Sequence, residues 1–240
     1  MDLLYFTEQP MSAYPAQEGL DFGATALMFS NKHFDPKEGS RLYNEFIEQY
    51  KLAEEVGIDG IMLNEHHNAP FCMQAKANIF AAILAAVTEK MKIVMLGNPL
   101  PLAENPVRLA EELAMIDMIS RGRLVSGIVR GGGQEQLAAG VNPAYNRERF
   151  EEAHDVLIKA WTETGPTRHE GKHYQHRVIK PMGRAAAKAL PPHLGAGRDQ
   201  QGDHRLGRAT ALPLCGAEYL DRRHQENLGL LRLHRRRMRL

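Results

Sequence analysis

Lys92-Ile93-Val94-Met95-Leu96-Gly97-Asn98-Pro99 leads, through Asn105-Pro106-Val107-Arg108-Leu109-Ala110-Glu111-Glu112-Leu113-Ala114-Met115-Ile116-Asp117-Met118-Ile119-Ser120-Arg121-Gly122-Arg123, to Leu124-Val125-Ser126-Gly127-Ile128-Val129-Arg130-Gly131-Gly132-Gly133. The outer runs are short, apolar and bounded by Gly or Pro, which suits buried strands at Lys92–Gly97 and Leu124–Val129. Between them, Pro106 fits the first turn of a helix reaching Ser120, with Gly122 just beyond its end. The unit is strand, helix, strand. Outward from it the pattern repeats. Leu3–Phe6 and Ile58–Asn64 are further strand candidates, and Ala77–Val87 and Arg147–Trp161 further helices. Ser40–Val56 places Leu42, Phe46, Tyr50, Ala53 and Val56 on one helical face, with Ser40 as N-cap and Gly57 as stop. Such alternation implies a parallel sheet covered by helices. A doubly wound sheet and a (β/α)8 barrel both satisfy it, and both place chemistry at the C-terminal ends of strands.

The polar residues stand there: Glu65-His66-His67 after the second strand, Asn98 after the third, Arg130-Gly131 after the fourth. Adjacent side chains leaving a strand point to opposite sides, so His66 and His67 are expected to differ in role. A histidine suits general acid/base work near neutral pH, although a lone one often only satisfies a neighbouring strand or loop. Arg130-Gly131-Gly132-Gly133 suits an anion, with glycines admitting the backbone and Arg supplying a forked charge. Neither the Walker nor the dinucleotide pattern is present, and Gly-rich turns after strands are often only turns. A metal-dependent hydrolase would recruit His33, Glu65, His66 and His67, but neighbouring histidines converge poorly on one ion. Met28, Met62, Met73, Met91, Met95, Met115 and Met118 read as core filler. Glu8–Pro36 is a long Gly/Pro-rich loop of the kind that builds binding sites.

Composition divides the chain at Pro181. Residues 182–240 contain no Ile, Val, Phe or Trp and carry 12 of the 30 Lys+Arg but only 5 of the 29 Asp+Glu. The formal charge therefore swings from −6 before the seam to +7 after it. Two cysteines, Cys72 and Cys215, provide no disulfide framework, and a reducing cytoplasm is the simplest setting. No signal-peptide pattern is expected at the N-terminus, and no apolar run approaches the roughly 20 residues of a membrane helix.

Asn64-Glu65-His66-His67, Gly97-Asn98-Pro99-Leu100-Pro101-Leu102, the Asn105–Leu124 helix segment and Gly127-Ile128-Val129-Arg130-Gly131-Gly132-Gly133, in this order and spacing, resemble the bacterial luciferase-like flavin monooxygenases over about Leu3 to Pro181. The resemblance implies a (β/α)8 TIM barrel, present only as its N-terminal half. It implies reduced FMN supplied by a separate flavin reductase, reaction with O2 to a flavin hydroperoxide, and oxygen insertion into a small organic substrate. Deazaflavin-dependent relatives share the barrel, so FMN is a preference. By the same match His66 is the acid/base beside the flavin, Arg130 binds the flavin phosphate with the Gly131, Gly132 and Gly133 backbone, and Asn98 lies along the ring. The Glu8–Pro36 loop would shape the substrate pocket, and a homodimer is plausible for an intact parent.

The remainder, residues 182–240, reads as an out-of-frame, non-native basic tail. Shifted by one base, Pro191–Gly197 permits P-P-I-W-V-P-G and Asp199–Ala209 permits I-S-K-E-T-I-D-W-A-A, which accommodate the family's continuation. The competing reading is a genuine basic segment, centred on Arg232–Arg239, that binds nucleic acid or another polyanion. It lacks interleaved aromatics and any recognisable nucleic-acid module. A barrel closes only when its last strand pairs with its first, so the chain as written is expected to be poorly folded and inactive.

Overall fold

In the computed structural model, residues 2–12, 14–15, 30–182 and 193–195 are described. Five parallel steps make the main sheet: β1 (Leu4–Phe6), β2 (Gly60–Leu63), β3 (Lys92–Met95) continued by β4 (Asn98–Pro99), β5 (Leu124–Val129) and β8 (His193–Gly195). β1 pairs with β2, β2 with β3, and β3 and β4 with β5, all parallel. The far edge of β5 pairs with β8 through Ser126↔His193 and Ile128↔Gly195. Strand order in space thus follows strand order in the chain. A doubly wound sheet reverses direction at its switch point; this one never does, and sequential order with helices outside is barrel topology. The structure is a partial (β/α)8 barrel.

The helices are α1 (Pro36–Glu55), α2 (Ala77–Val87), α3 (Pro106–Ser120), the short α4 (Gly133–Ala138) and α5 (Asn146–Thr162). Their apolar faces meet one face of the sheet. Tyr50, Phe80, Leu84, Leu113 and Leu157 pack with Ile61, Leu63, Ile93, Met95, Leu124 and Ile128 in a single core. Between β5 and β3 the approach is close enough that a Cβ at Gly127 would lie 2.0 Å from the Met95 carbonyl oxygen. Only glycine fits there.

Several boundaries differ from expectation. α1 begins four residues before Ser40: Asp35 is the N-cap, its Oδ1 accepting from Lys37 N–H at 2.8 Å, and Pro36 opens the first turn. Proline is pre-set for that position, and a Ser40 inside the helix has no capping role. The third strand breaks between Met95 and Asn98. An antiparallel hairpin, β6 (Thr167–Glu170) with β7 (Gln175–Ile179), follows α5 where no element was expected. It is tied to α5 by Glu152, whose carboxylate accepts from the His173 and Tyr174 N–H groups. Of the methionines, Met73, Met91 and Met95 are core, while Met115 and Met118 are exposed on α3; Met28 lies outside the described residues. A fifth parallel strand, β8, lies beyond Pro181, although that composition carries no β-branched aliphatic residue. Pairing to an open strand edge runs through the backbone and demands no particular side chain. Arg232–Arg239 and Cys215 lie outside the described residues.

Candidate active site

The Asn64–His67 segment leaves β2 and folds back on the loop before α2, where His66 N–H donates to the Gln74 carbonyl. The two histidines part company, as alternation predicts. His67 Nε2 approaches Glu65 Oε1 at 3.3 Å. Glu65 is buried and also accepts from Lys76 Nζ and from Ala77 N–H, both at 3.1 Å. Burial opposes ionisation of Glu65, but the His67 hydrogen bond, the Lys76 charge and the Ala77 N–H outweigh it and hold the carboxyl below its ordinary range. Glu65 thereby pins the turn to the first residue of α2.

His66 faces the other way. Its Nδ1 is 2.8 Å from Glu135 Oε1, bridging the end of β2 to α4, the short helix that follows β5. Its Nε2 lies 3.9 Å from Glu8 Oε2, and its ring meets Phe71 edge-on at 5.2 Å. Asn64 Nδ2 donates to Glu8 as well. The Glu135 hydrogen bond, opposed by partial burial and aided by the Glu135, Glu8 and Glu65 charges, raises the His66 pKa. Burial raises Cys72 to about 11, so this neighbouring thiol is a poor nucleophile.

The Arg130–Gly133 loop is shaped around the same carboxylate. Gly131 has φ +70°, and a Cβ there would lie 2.9 Å from Glu135 Oε2 and 3.3 Å from Pro99 Cβ. Gly132 N–H donates to Glu135 Oε2 at 2.9 Å, while Gln136 Nε2 holds the Arg130 carbonyl at 3.1 Å. Burial would raise the Glu135 pKa, yet His66 and the Gly132 N–H keep it lowered. The loop therefore already carries an anionic oxygen on its backbone, which is the chemistry a phosphate would use. Gln136 Oε1 is buried without a hydrogen-bond partner among the described residues.

Thus His66, Gly131 and Gly132 gather around Glu135, while the Arg130 carbonyl is held by the neighbouring Gln136. Asn98 is placed differently. It shares the register position of Ile128, whose side chain is part of the helix-facing core. Asn98 Nδ2 donates to Asn78 Oδ1 at 2.8 Å, and Asn78 donates to Glu112 at 2.7 Å. Its Oδ1 is buried and unpartnered among the described residues. Glu135 and Glu8 were not singled out from the sequence. Glu135 had one local signal, a carboxylate three residues after a helix-capping glycine, the spacing that returns a side chain to the cap N–H. Glu8 had none.

Among the described residues, no group of three His, Cys, Asp or Glu side chains is arranged to hold a metal ion. His33 instead lies edge-on to Tyr14 at 5.9 Å. The hydrolase alternative finds no support here. No helix among the described residues is long and apolar enough to cross a membrane.

Residues 25–212 match the family profile described as luciferase-like monooxygenase. The chain belongs to that family. It is 31% identical over 170 residues to the oxygenase component of a flavin-dependent trigonelline monooxygenase from Acinetobacter baylyi, covering 69% of this chain and 46% of that protein. To the alkanal monooxygenase alpha chain of Photorhabdus laumondii it is 26% identical, covering 72% and 47%. The chain spans about half the length of the curated relatives it matches. Among solved structures, the monooxygenase RslO1 from Streptomyces bottropensis superposes with a TM-score of 0.63 at 24% identity, covering 80% of this chain and 53% of that one. The oxygenating constituent of 3,6-diketocamphane monooxygenase from Pseudomonas putida, in complex with FMN, gives 0.60 at 20% identity, covering 81% and 51%. An F420-dependent secondary alcohol dehydrogenase gives 0.58 at 18%. These structural likenesses establish the shared fold.

Proposed function

We propose that the chain is the N-terminal part of a flavin-dependent monooxygenase that receives reduced FMN from a separate flavin reductase in the cytoplasm and oxygenates a small organic substrate. The observation that carries the reading is the Glu135 junction, where one carboxylate joins the candidate acid/base His66 to the candidate phosphate loop. Bound there, reduced flavin would supply the electrons that activate O2. Arg130 would meet the flavin phosphate, with Gly131 letting the loop turn against Glu135 and Pro99 and Gly132 bringing its backbone close. His66 would deliver or accept a proton at Nε2, the ring edge not held by Glu135. Phe71, packed on the His66 ring, would help exclude water. Asn98, held on the helix side by Asn78, would act only indirectly, by fixing the strand end beside the flavin ring. FMN is preferred over a deazaflavin because the flavin-dependent trigonelline monooxygenase component carries the higher identity.

Residues 182–240 are, on this reading, an out-of-frame continuation, and the 240-residue polypeptide is inactive. Among the described residues β1 pairs only with β2, and none of their strands pairs with its free edge. The test has two stages. Resequencing across Pro181–Met182 should find one extra base, and the frame-corrected product should bind one FMN per chain. The 240-residue polypeptide should not. Stoichiometric FMN binding by the latter overturns the inactivity, preferential deazaflavin binding by the corrected product overturns the cofactor, and a clean frame makes the basic segment genuine.

A further inference from the structure

We infer that Glu135 is a positioning residue that fixes the tautomer and orientation of His66, holding the proton on Nδ1 and leaving Nε2 as the proton-transfer edge. This deepens the flavin monooxygenase reading and rests on it. Glu135 is buried, whereas the His66 side chain is one-third exposed, so the carboxylate is the fixed member of the pair. Its two oxygens are divided: Oε1 meets Nδ1 at 2.8 Å, and Oε2 accepts from Gly132 N–H at 2.9 Å. An ionised carboxylate only accepts, so the ring nitrogen facing it must carry the hydrogen. When the ring is neutral, Nε2 is then bare and basic; when it is charged, Nε2–H is the donor. Among the described residues, the other charged groups acting on the ring are Glu8 from the loop after β1 and Glu65 beside it in the chain, while Cys72 meets the His66 backbone. Of these only Glu8 approaches a ring nitrogen, at 3.9 Å from Nε2, beyond hydrogen-bonding distance. Because the same carboxylate grips Gly132, the ring is indexed to the loop proposed to hold the phosphate. Its place relative to a bound flavin is thereby set before the flavin arrives.

The test is imidazole 15N NMR of the full 240-residue chain, with His66 assigned by the resonances lost in His66→Gln. Above its titration, wild-type His66 should show a protonated Nδ1 and a bare Nε2, with a midpoint above that of the urea-unfolded chain. Glu135→Gln should lower that midpoint and relax the tautomer preference, and Glu135→Asp should restore part of both. Glu148→Gln, beside His173, should move neither. An Nε2–H ring in wild type, or a midpoint equal to the unfolded one, overturns the inference without any variant needing to fold. So does a His66 that titrates identically in a folded Glu135→Gln. FMN titration of the frame-corrected protein separates the two claims: an Nδ1–H ring that responds to Glu135, in a frame-corrected protein that ignores FMN, leaves the positioning role intact and defeats the flavin reading.

Discussion

Where the strands begin, polar groups are spent on one another; where they end, several are left over. At the starting end, Arg123 donates to the carbonyls of Ala85, Thr88, Met91 and Ser120 and to Thr88 Oγ1, and Glu54 accepts from the N–H groups of Glu89, Lys90 and Met91. These bonds staple α1, α2 and the entries to β3 and β5. At the finishing end, Asn98 Oδ1, Gln136 Oε1 and His67 Nδ1 are buried without hydrogen-bond partners among the described residues. A buried unpaired polar atom costs stability, and in barrels the N-terminal face serves stability while the C-terminal face serves chemistry. The difference teaches where substitutions should cost folding and where they should cost function.

Arg123→Ala should break that division most visibly. It strips several acceptors at once, and denaturant unfolding should show a loss of about 3 kcal/mol or more. Glu54→Ala, which frees three N–H groups, should cost about 2 kcal/mol. Gly131→Ala, at the finishing end, places a Cβ in a left-handed conformation against Glu135 and should cost about 1 kcal/mol while loosening the anion loop. His66→Gln should change stability least, by about 0.5 kcal/mol or less; under the proposed function it should also lower oxygenation by the frame-corrected product about 100-fold or more. If His66→Gln unfolds the protein while Arg123→Ala does not, the two ends have been assigned the wrong way round.

pH sharpens the same contrast. The Glu54 pKa is lowered: burial opposes ionisation, but the Lys90, Met91 and Glu89 N–H groups prevail. Its contribution is therefore present above the unfolded carboxylate value and lost as pH falls through the lower folded value. His66 is raised, so its contribution is complete below the unfolded histidine value and lost as pH rises through the higher folded one. Between neutral and mildly alkaline pH, unfolding free energy should decline in wild type and decline less in Glu135→Gln. Glu54→Gln should follow the wild-type slope across that range.

The helices and strands that bury an apolar stripe were legible because periodicity reports burial. Pro106–Ser120 and Leu124–Val129 match their expected bounds, and β2 lies within the expected Ile58–Asn64. The β6–β7 hairpin was not, because Thr167–Glu170 alternates only intermediate and exposed positions and contains no apolar residue to mark a face. α1's true start was readable at Asp35-Pro36, but the apolar spacing from Leu42 drew the boundary inward. Of the site, His66, Arg130 and the glycines stood out as motif residues. Glu135 meets His66 across 69 positions of sequence, and a contact at that separation leaves no periodic trace in the chain. Asn98 stood at a strand end, where residues are expected to face a ligand; the break after Met95 delivers it to the register of Ile128, on the helix side.

Strand order that never reverses also governs assembly. β1, β2, β3 and β5 are each added to the edge left by the preceding step, so every pairing joins segments already close along the polypeptide. Such a sheet can be laid down in the order of synthesis, from the N-terminus onward, with each new strand closing only the loop that carries its own helix. Every stage before the final strand presents a live edge to solvent. Growth of this kind has a direction but no internal stopping point, and the nascent barrel is at its most adhesive just before it becomes complete.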